Sequence, residues 1–382
     1  MLRIAIIGTG TIADAHIRSY REFPDDCTIV GLADVAPGRA AAKAAAFGLT
    51  DAVAYDDPAD LIRWGEVDLV SIATPPASHA PLSVAALDAG MHVLVEKPMA
   101  PSLEECDAML AAQRRSGTLL SVVAQNRFRD DTALLKDVID AGLLGSVSHV
   151  SVDSAWWRGR PYYDQSWRGT WESEGGGCTL NHAIHHIDLL LWLMGRPSEA
   201  VAMLTNAQHD NADVEDLSVA VLRYGRALAQ LTSSVVHHGE EQGIVIQGER
   251  ARVSQPWRVS AERSTPQGFP APGGDPAVVA DLEAFAARRA PRRHEGHAGQ
   301  IEDLLGAIRD GRPPLATGED GRNAVELVTA IYQAAIARRT ITLPLSPEDP
   351  YYRSGELVER APRFASPEPA GARPARAGRS IG

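Results

Sequence analysis

The segment Gly8-Thr9-Gly10-Thr11-Ile12-Ala13 constrains the fold of this chain more than any other stretch. It follows an apolar run at 3–7 and opens an amphipathic stretch at 12–20. The spacing is that of G-x-G-x-x-G/A, with Ala in the last slot. Gly8 permits a tight turn, Gly10 lets a pyrophosphate approach the backbone, and Ala13 is small enough for a helix to pack close to a strand. The amides at the start of that helix would face the anion. Alone the motif is weak, but Asp34 closes the next apolar run, at about the expected 20-residue interval. A carboxylate there accepts from both ribose hydroxyls and repels a 2′-phosphate. Val35 follows it where a phosphate-binding Arg would otherwise stand. NAD is therefore expected over NADP, with Arg39 close enough in sequence to take part. Gly8, Thr9, Gly10, Thr11, Ile12, Asp34 and Arg39 are the candidate cofactor contacts from this region.

Apolar runs at 3–7, 28–33, 69–73, 92–95 and 119–123 alternate with helical patterns at 12–20, 36–47, 80–89 and 103–113. Such alternation predicts a doubly wound parallel sheet, buried on both faces. After a bridging helix at 130–141 the pattern changes. Strand-like segments at 147–155, 200–205, 217–224, 227–236 and 243–247 predict a large, mostly antiparallel sheet, interrupted by an apolar helix at 182–193. Helices at 298–308 and 323–338 and a last strand at 340–345 complete it. The expected division is a dinucleotide-binding domain at 1–124, a second α/β domain at 125–345, and an extended or disordered arm at 346–382.

The 382 residues suit two domains better than one core. A net charge of −12, from 37 Lys+Arg and 49 Asp+Glu, disfavours nucleic acid and anionic membranes as partners. Three cysteines, Cys27, Cys106 and Cys178, form no disulfide framework. No apolar run is long enough to cross a bilayer, and no signal-peptide core precedes the first strand. A cytoplasmic protein is expected.

This chain uses Arg for nearly all its cations, and Lys appears only at 43, 97 and 136. Lys97, in Glu96-Lys97-Pro98, lies just past a parallel strand, where open α/β sheets bind ligands. An ammonium can share a proton where a guanidinium cannot. The bland alternative is a surface Lys paired with Glu96. The combined pattern resembles the Gfo/Idh/MocA oxidoreductases, which include glucose–fructose oxidoreductase and inositol dehydrogenase. The motifs are Gly8–Ala13, Thr74-Pro75-Pro76 with His79, the run from Ala89 to Pro98, Gln125-Asn126-Arg127-Phe128, and Gly175-Gly176-Gly177 followed by His185 and Asp188. The resemblance implies a Rossmann domain at 1–124, a substrate-binding and oligomerisation α/β domain at 125–345, and hydride transfer between nicotinamide and a secondary alcohol of a sugar, glycoside or cyclitol, in a homodimer or homotetramer. It implies catalytic roles for Lys97 and His185. It also implies substrate contacts from Lys97, Arg127, Trp167, Arg168, Asn181, His185 and His297. Thr74, Pro75, His79, Glu96, Lys97, Asn126, Trp167 and Arg168 would add to the cofactor contacts.

Asn181 and His185 are four apart and would share a face of the apolar helix. Asn181 stands where the family commonly has Asp, so it could orient an imidazole but not stabilise its cation. His185 would act as base near its ordinary pKa of about 6.5. His182 and His186 would point elsewhere and serve packing, and no metal-ligand spacing accompanies the cluster. Trp156, Trp157, Tyr162, Tyr163, Trp167 and Trp171 crowd near Arg158, Arg160 and Arg168, either as a sugar-stacking surface or as an interface core. Two other functions compete with the dehydrogenase. One is a redox-assisted glycosidase or lyase, which would show no net change in nicotinamide. The other is a non-catalytic dinucleotide sensor.

Overall fold

The computed structural model describes residues 1–165 and 168–364. The first unit contains β1 (Leu2–Ile7), α1 (Ala13–Tyr20), β2 (Cys27–Ala33), α2 (Arg39–Ala46), β3 (Val53–Tyr55) and α3 (Pro58–Trp64). It continues with β4 (Leu69–Ile72), α4 (His79–Asp88), β5 (His92–Val95), α5 (Leu103–Ser116) and β6 (Leu120–Val122). The six strands pair in parallel in the order β3-β2-β1-β4-β5-β6. Strand order reverses between β1 and β4, which opens a crevice at the carboxyl ends of the strands. Ile4, Ile6, Ile7, Leu69, Val70, Ile72, Val93 and Val95 are buried, as expected of strands covered on both faces. The pair β3 and α3, three and seven residues long, is too short to show a period in the sequence. Asp57 nevertheless caps α3 by accepting from Ala59 N, with Pro58 in the first turn.

The second unit begins with α6 (Asp130–Asp140), β7 (Val147–Ala155), α7 (Trp171–Glu174), α8 (Cys178–Asn181), α9 (Ile184–Met194) and β8 (Glu199–Thr205). Next come β9 (Leu217–Tyr224), β10 (Ala227–Ser234), β11 (Gln242–Gly248), β12 (Arg252–Gln255) and β13 (Arg258–Ser260). α10 (Pro276–Ala287), α11 (Gly296–Asp310), α12 (Gly318–Ala337), β14 (Ile341–Thr342) and α13 (Glu356–Arg360) follow. The eight strands lie in the order β13-β12-β11-β7-β10-β9-β8-β14, antiparallel except for β7 beside β10. Alternation along β8, β9 and β10 buries Ala200, Ala202, Ala220, Leu222, Ala229 and Leu231 beneath helices. It leaves Val201, Met203, Val219, Val221 and Leu228 exposed on the other face. Long α12 starts with a capping box, in which Thr317 and Asp320 satisfy each other's backbone amides. It packs against β8, α9 and α5, so it touches both units.

Two expectations about this half need correction. The apolar helix expected at 182–193 is α9, Ile184–Met194, but Asn181, expected on its first turn, ends the separate short helix α8. The first amides of α8, at Gly177 and Thr179, donate to the buried Glu215 carboxylate, which aims α8 independently of α9. Residues 346–364 are also no extended arm. Tyr352 and Ala361 are buried, and the Tyr352 hydroxyl is shared by Arg322 of α12 and Asp107 of α5. The Trp171 indole donates to Pro362 O at 3.0 Å. Residues 365–382 lie outside the described residues.

Candidate active site

The turn after β1 has the geometry that its glycines suggest. Gly8 has φ of +91°, and a Cβ there would lie 2.6 Å from Ala73 O, so no other residue fits. At Gly10 a Cβ would meet nothing within 4 Å, which leaves the backbone open to an approaching group. Ile12, just before α1, provides no side-chain cap; the Asp14 and Ala15 amides donate to Thr11 O and Ile12 O, so the turn ahead of them is what is left for an anion. Asp34, just past β2, accepts from Thr9 N and Thr9 Oγ1 at 2.8 Å and from Ala36 N at 2.9 Å. Burial raises its pKa, but these donors and Arg39, 3.6 Å away, hold it below the usual carboxylate value. The pinned carboxylate, with Val35 exposed beside it, fits a ribose diol and opposes a phosphate. Open backbone and a fixed acid together suit NAD.

The T-P-P turn and the Glu96-Lys97-Pro98 turn are held together by His79. Its Nε2 lies 2.8 Å from Thr74 O and its Nδ1 2.8 Å from Pro98 O. The ring thus lies between two loops that flank the crevice, and in its neutral form it donates to one of the two carbonyls. Thr74 Oγ1 accepts from Ser78 at 2.7 Å, and Pro75 precedes that single turn. Asn126 lies half-buried at the same rim, in the 3₁₀ turn Gln125–Phe128.

Lys97 is half-buried and donates from Nζ to Asn181 O at 3.2 Å, bridging the end of β5 to α8. Lys97 and His185 line one cleft with Met99, Ile184, Asp188 and Thr317. Burial lowers the Lys97 pKa, and the Glu96 carboxylate opposes that change. Burial and then the Lys97 charge drive His185 well below its ordinary value. The neighbouring cation and the limited solvation of the cleft both favour the neutral ring.

Other expected contacts are placed differently. Asn181 turns away from His185: its side-chain amide donates to Gly176 O at 2.7 Å and Gly177 O at 3.3 Å. The break after α8 is the reason. Arg127 is buried, with Nε and Nη2 on the two Asp188 oxygens at 2.9 and 2.7 Å, and Nη1 on Leu315 O. It braces the cleft wall instead of reaching substrate, because all three nitrogens already have partners. Arg168 pairs with Glu174 at 2.9 Å and with the Tyr162 hydroxyl, and its charge is felt at Lys97. Trp167 lies outside the described residues. His297, early in α11, lies by His16, with ring centroids 5.9 Å apart. His182 and His186 are buried as packing residues, yet Nδ1 of each lacks a partner. Among the described residues, no group of three or more His, Cys, Asp or Glu could hold a metal.

Sequence reasoning missed His16, Glu174 and Glu215. Glu174 immediately precedes the glycine run, and burial pushes its carboxyl up to about 7 despite the Gly169 amide and Arg168. Glu215 lies between two strands, and only the tertiary contact with Gly177 and Thr179 gives it meaning. His16 carried a signal, being an imidazole on the buried face of α1.

Residues 2–124 match the oxidoreductase family with an NAD-binding Rossmann fold, and 132–254 match the GFO/IDH/MocA C-terminal domain. The chain is 25% identical to the myo-inositol 2-dehydrogenase of Thermotoga maritima, covering 90% of this chain and 98% of that one. It is 28% identical to inositol 2-dehydrogenase 2 of Paenarthrobacter aurescens, covering 89% and 98%. The WlbA dehydrogenase of Bordetella pertussis, solved with NADH and UDP-GlcNAcA, superposes with a TM-score of 0.76 at 29% identity, covering 90% and 99%.

Proposed function

The chain belongs to the Gfo/Idh/MocA family of oxidoreductases, and from that premise we propose that it oxidises a secondary alcohol of a sugar or cyclitol with NAD. The observation that carries this reading is the lysine at the end of β5, held against Asn181 O in the cleft that also holds His185. NAD, when bound, supplies the ring that accepts or returns hydride. The open turn Gly8–Ile12 holds its phosphates, and Asp34 holds ribose hydroxyls. Lys97 hydrogen-bonds the reacting oxygen and takes up its proton. Burial favours the neutral amine that this step needs. His185 stays neutral and orients the hydroxyl beside Lys97. Arg168, whose charge is felt at Lys97, stands at the substrate side. Division into a cofactor half up to residue 124 and a substrate half from 125 to 345 is part of the same reading.

The inositol dehydrogenases among its relatives support a cyclitol, and the nucleotide sugar in the WlbA complex supports a sugar derivative. The exposed apolar side chains of β8, β9 and β10 support assembly of identical copies through that face. The three cysteines are free and buried, which suits a reducing cytoplasm. The test is NAD reduction at 340 nm over a panel of inositols, pyranosides and nucleotide sugars. Wild type should turn over at least one of them, and Lys97→Met should fall by roughly a hundredfold or more. Lys97→Arg should not rescue it. Steady turnover of a glycoside without accumulating NADH would replace this reading with the redox-assisted hydrolase.

A further inference from the structure

Beneath the cleft a chain of buried polar side chains runs from α1 to the end of β5. Tyr20 OH lies 2.7 Å from Ser71 Oγ, Ser71 Oγ lies 3.3 Å from His16 Nδ1, and His16 Nε2 lies 3.1 Å from Glu96 Oε1. His16, Tyr20 and Ser71 are buried, and Glu96 is nearly so. Glu96 is ionised, so its carboxylate only accepts, and His16 Nε2 must donate to it. The second Glu96 oxygen accepts the amide of Lys97 itself at 3.1 Å.

We propose that His16 is a positioning residue for the reaction: it fixes the Glu96 carboxylate, as an anion, behind Lys97 and so sets how readily Lys97 gives up its proton. The inference rests on the dehydrogenase reading for its purpose, but not for its physics. Burial favours the protonated form of Glu96, and His16 first, with Lys97 and His297 after it, outweighs this and holds the acid at about 2. An acid without that donor would recapture a proton or turn away, and Lys97 would lose the adjacent negative charge. The other charged or titratable groups that act on Lys97 or share its surroundings are Arg168, Glu174, His182, His185 and His79. Glu96 also feels His297. Among the groups acting directly on Lys97, Arg168 favours the neutral amine, whereas Glu96 and Glu174 favour the ammonium. Glu96 is the largest charge effect, so loss of its charge should lower the Lys97 midpoint.

Three lysines make a direct measurement possible. Protein carrying lysine labelled with ¹³C at Cε gives three signals, and Lys97→Met assigns one. The full chain is titrated as wild type, His16→Leu, His16→Gln and Glu96→Gln. In His16→Leu and Glu96→Gln the Lys97 midpoint should fall by about one unit or more, and the double variant should fall no further. His16→Gln keeps an N–H near the Nε2 position and should stay within a few tenths of a unit of wild type. The acid limb of kcat/KM should move with the NMR midpoint. If His16→Leu does not fold, His16→Asn, which reaches Ser71 but not Glu96, takes its place. An unmoved Lys97 midpoint in Glu96→Gln and in the folded His16 variant would overturn the proposal. A wild type inactive on every polyol would instead sink the dehydrogenase reading, because the titration needs no turnover.

Discussion

Arg127 and Asp188 meet in a bidentate, buried ion pair whose nitrogen–oxygen distances are 2.9 and 2.7 Å, joining the turn after β6 to α9. Asp320 of α12 adds a third contact at 3.2 Å. The guanidinium thus ties together the elements that wall the cleft.

Arg127→Met should leave Asp188 uncompensated and cost about 3–5 kcal/mol of stability, since breaking one side of a buried pair is more damaging than replacing both. Urea unfolding measures this loss. A variant with wild-type stability and a raised KM alone would return Arg127 to the substrate-contact role that its motif suggested.

Asp34→Ala should weaken NADH binding and narrow an NADH over NADPH preference of roughly tenfold or more, because the repelling carboxylate is gone. Fluorescence titration of both nucleotides decides it, and an unchanged ratio would remove Asp34 from selectivity.

Asn181→Asp should not raise the pKa of His185. The new carboxylate would face the Gly176 and Gly177 carbonyls, which accept from the present amide. Loss of those bonds and repulsion between oxygens should cost about 1–3 kcal/mol. The variant should also disturb the Asn181 carbonyl that Lys97 contacts. Thermal unfolding and the pH dependence of kcat/KM test this together; an intact melting temperature with an acid limb moved upward would restore the helical-face argument.

Glu174 should make the protein less stable as pH rises from 4.5 to about 7, because the folded state holds a proton there that the unfolded chain has released. Below 4.5 both states carry the proton, so the effect is absent. Glu174→Gln should flatten this slope, as read from melting temperature against pH. An equal slope in both proteins would mean that another group titrates.

Legibility followed the range of the interactions. The turn at Gly8–Ala13, Asp34 and strand β5 could be read directly because each depends on neighbours a few residues away: a positive φ, an available amide, an apolar run. Lys97 stood out because the chain otherwise prefers arginine. The sheet at β12 and β13, and helix α10, escaped because short, half-exposed segments carry weak periodicity.

By itself, then, the sequence determined the parallel Rossmann half, the preference for NAD and the lysine at the crevice, all consequences of local backbone and side-chain chemistry. Only the tertiary structure decided where Arg127, Asn181 and His16 point. Arg127 finds Asp188 at a separation of 61 residues, His16 finds Glu96 at 80, and Glu215 redirects α8 from 36–38 residues away. A buried polar group takes whichever partner the fold brings within about 3 Å, because leaving it unpaired costs more than almost any local preference can return.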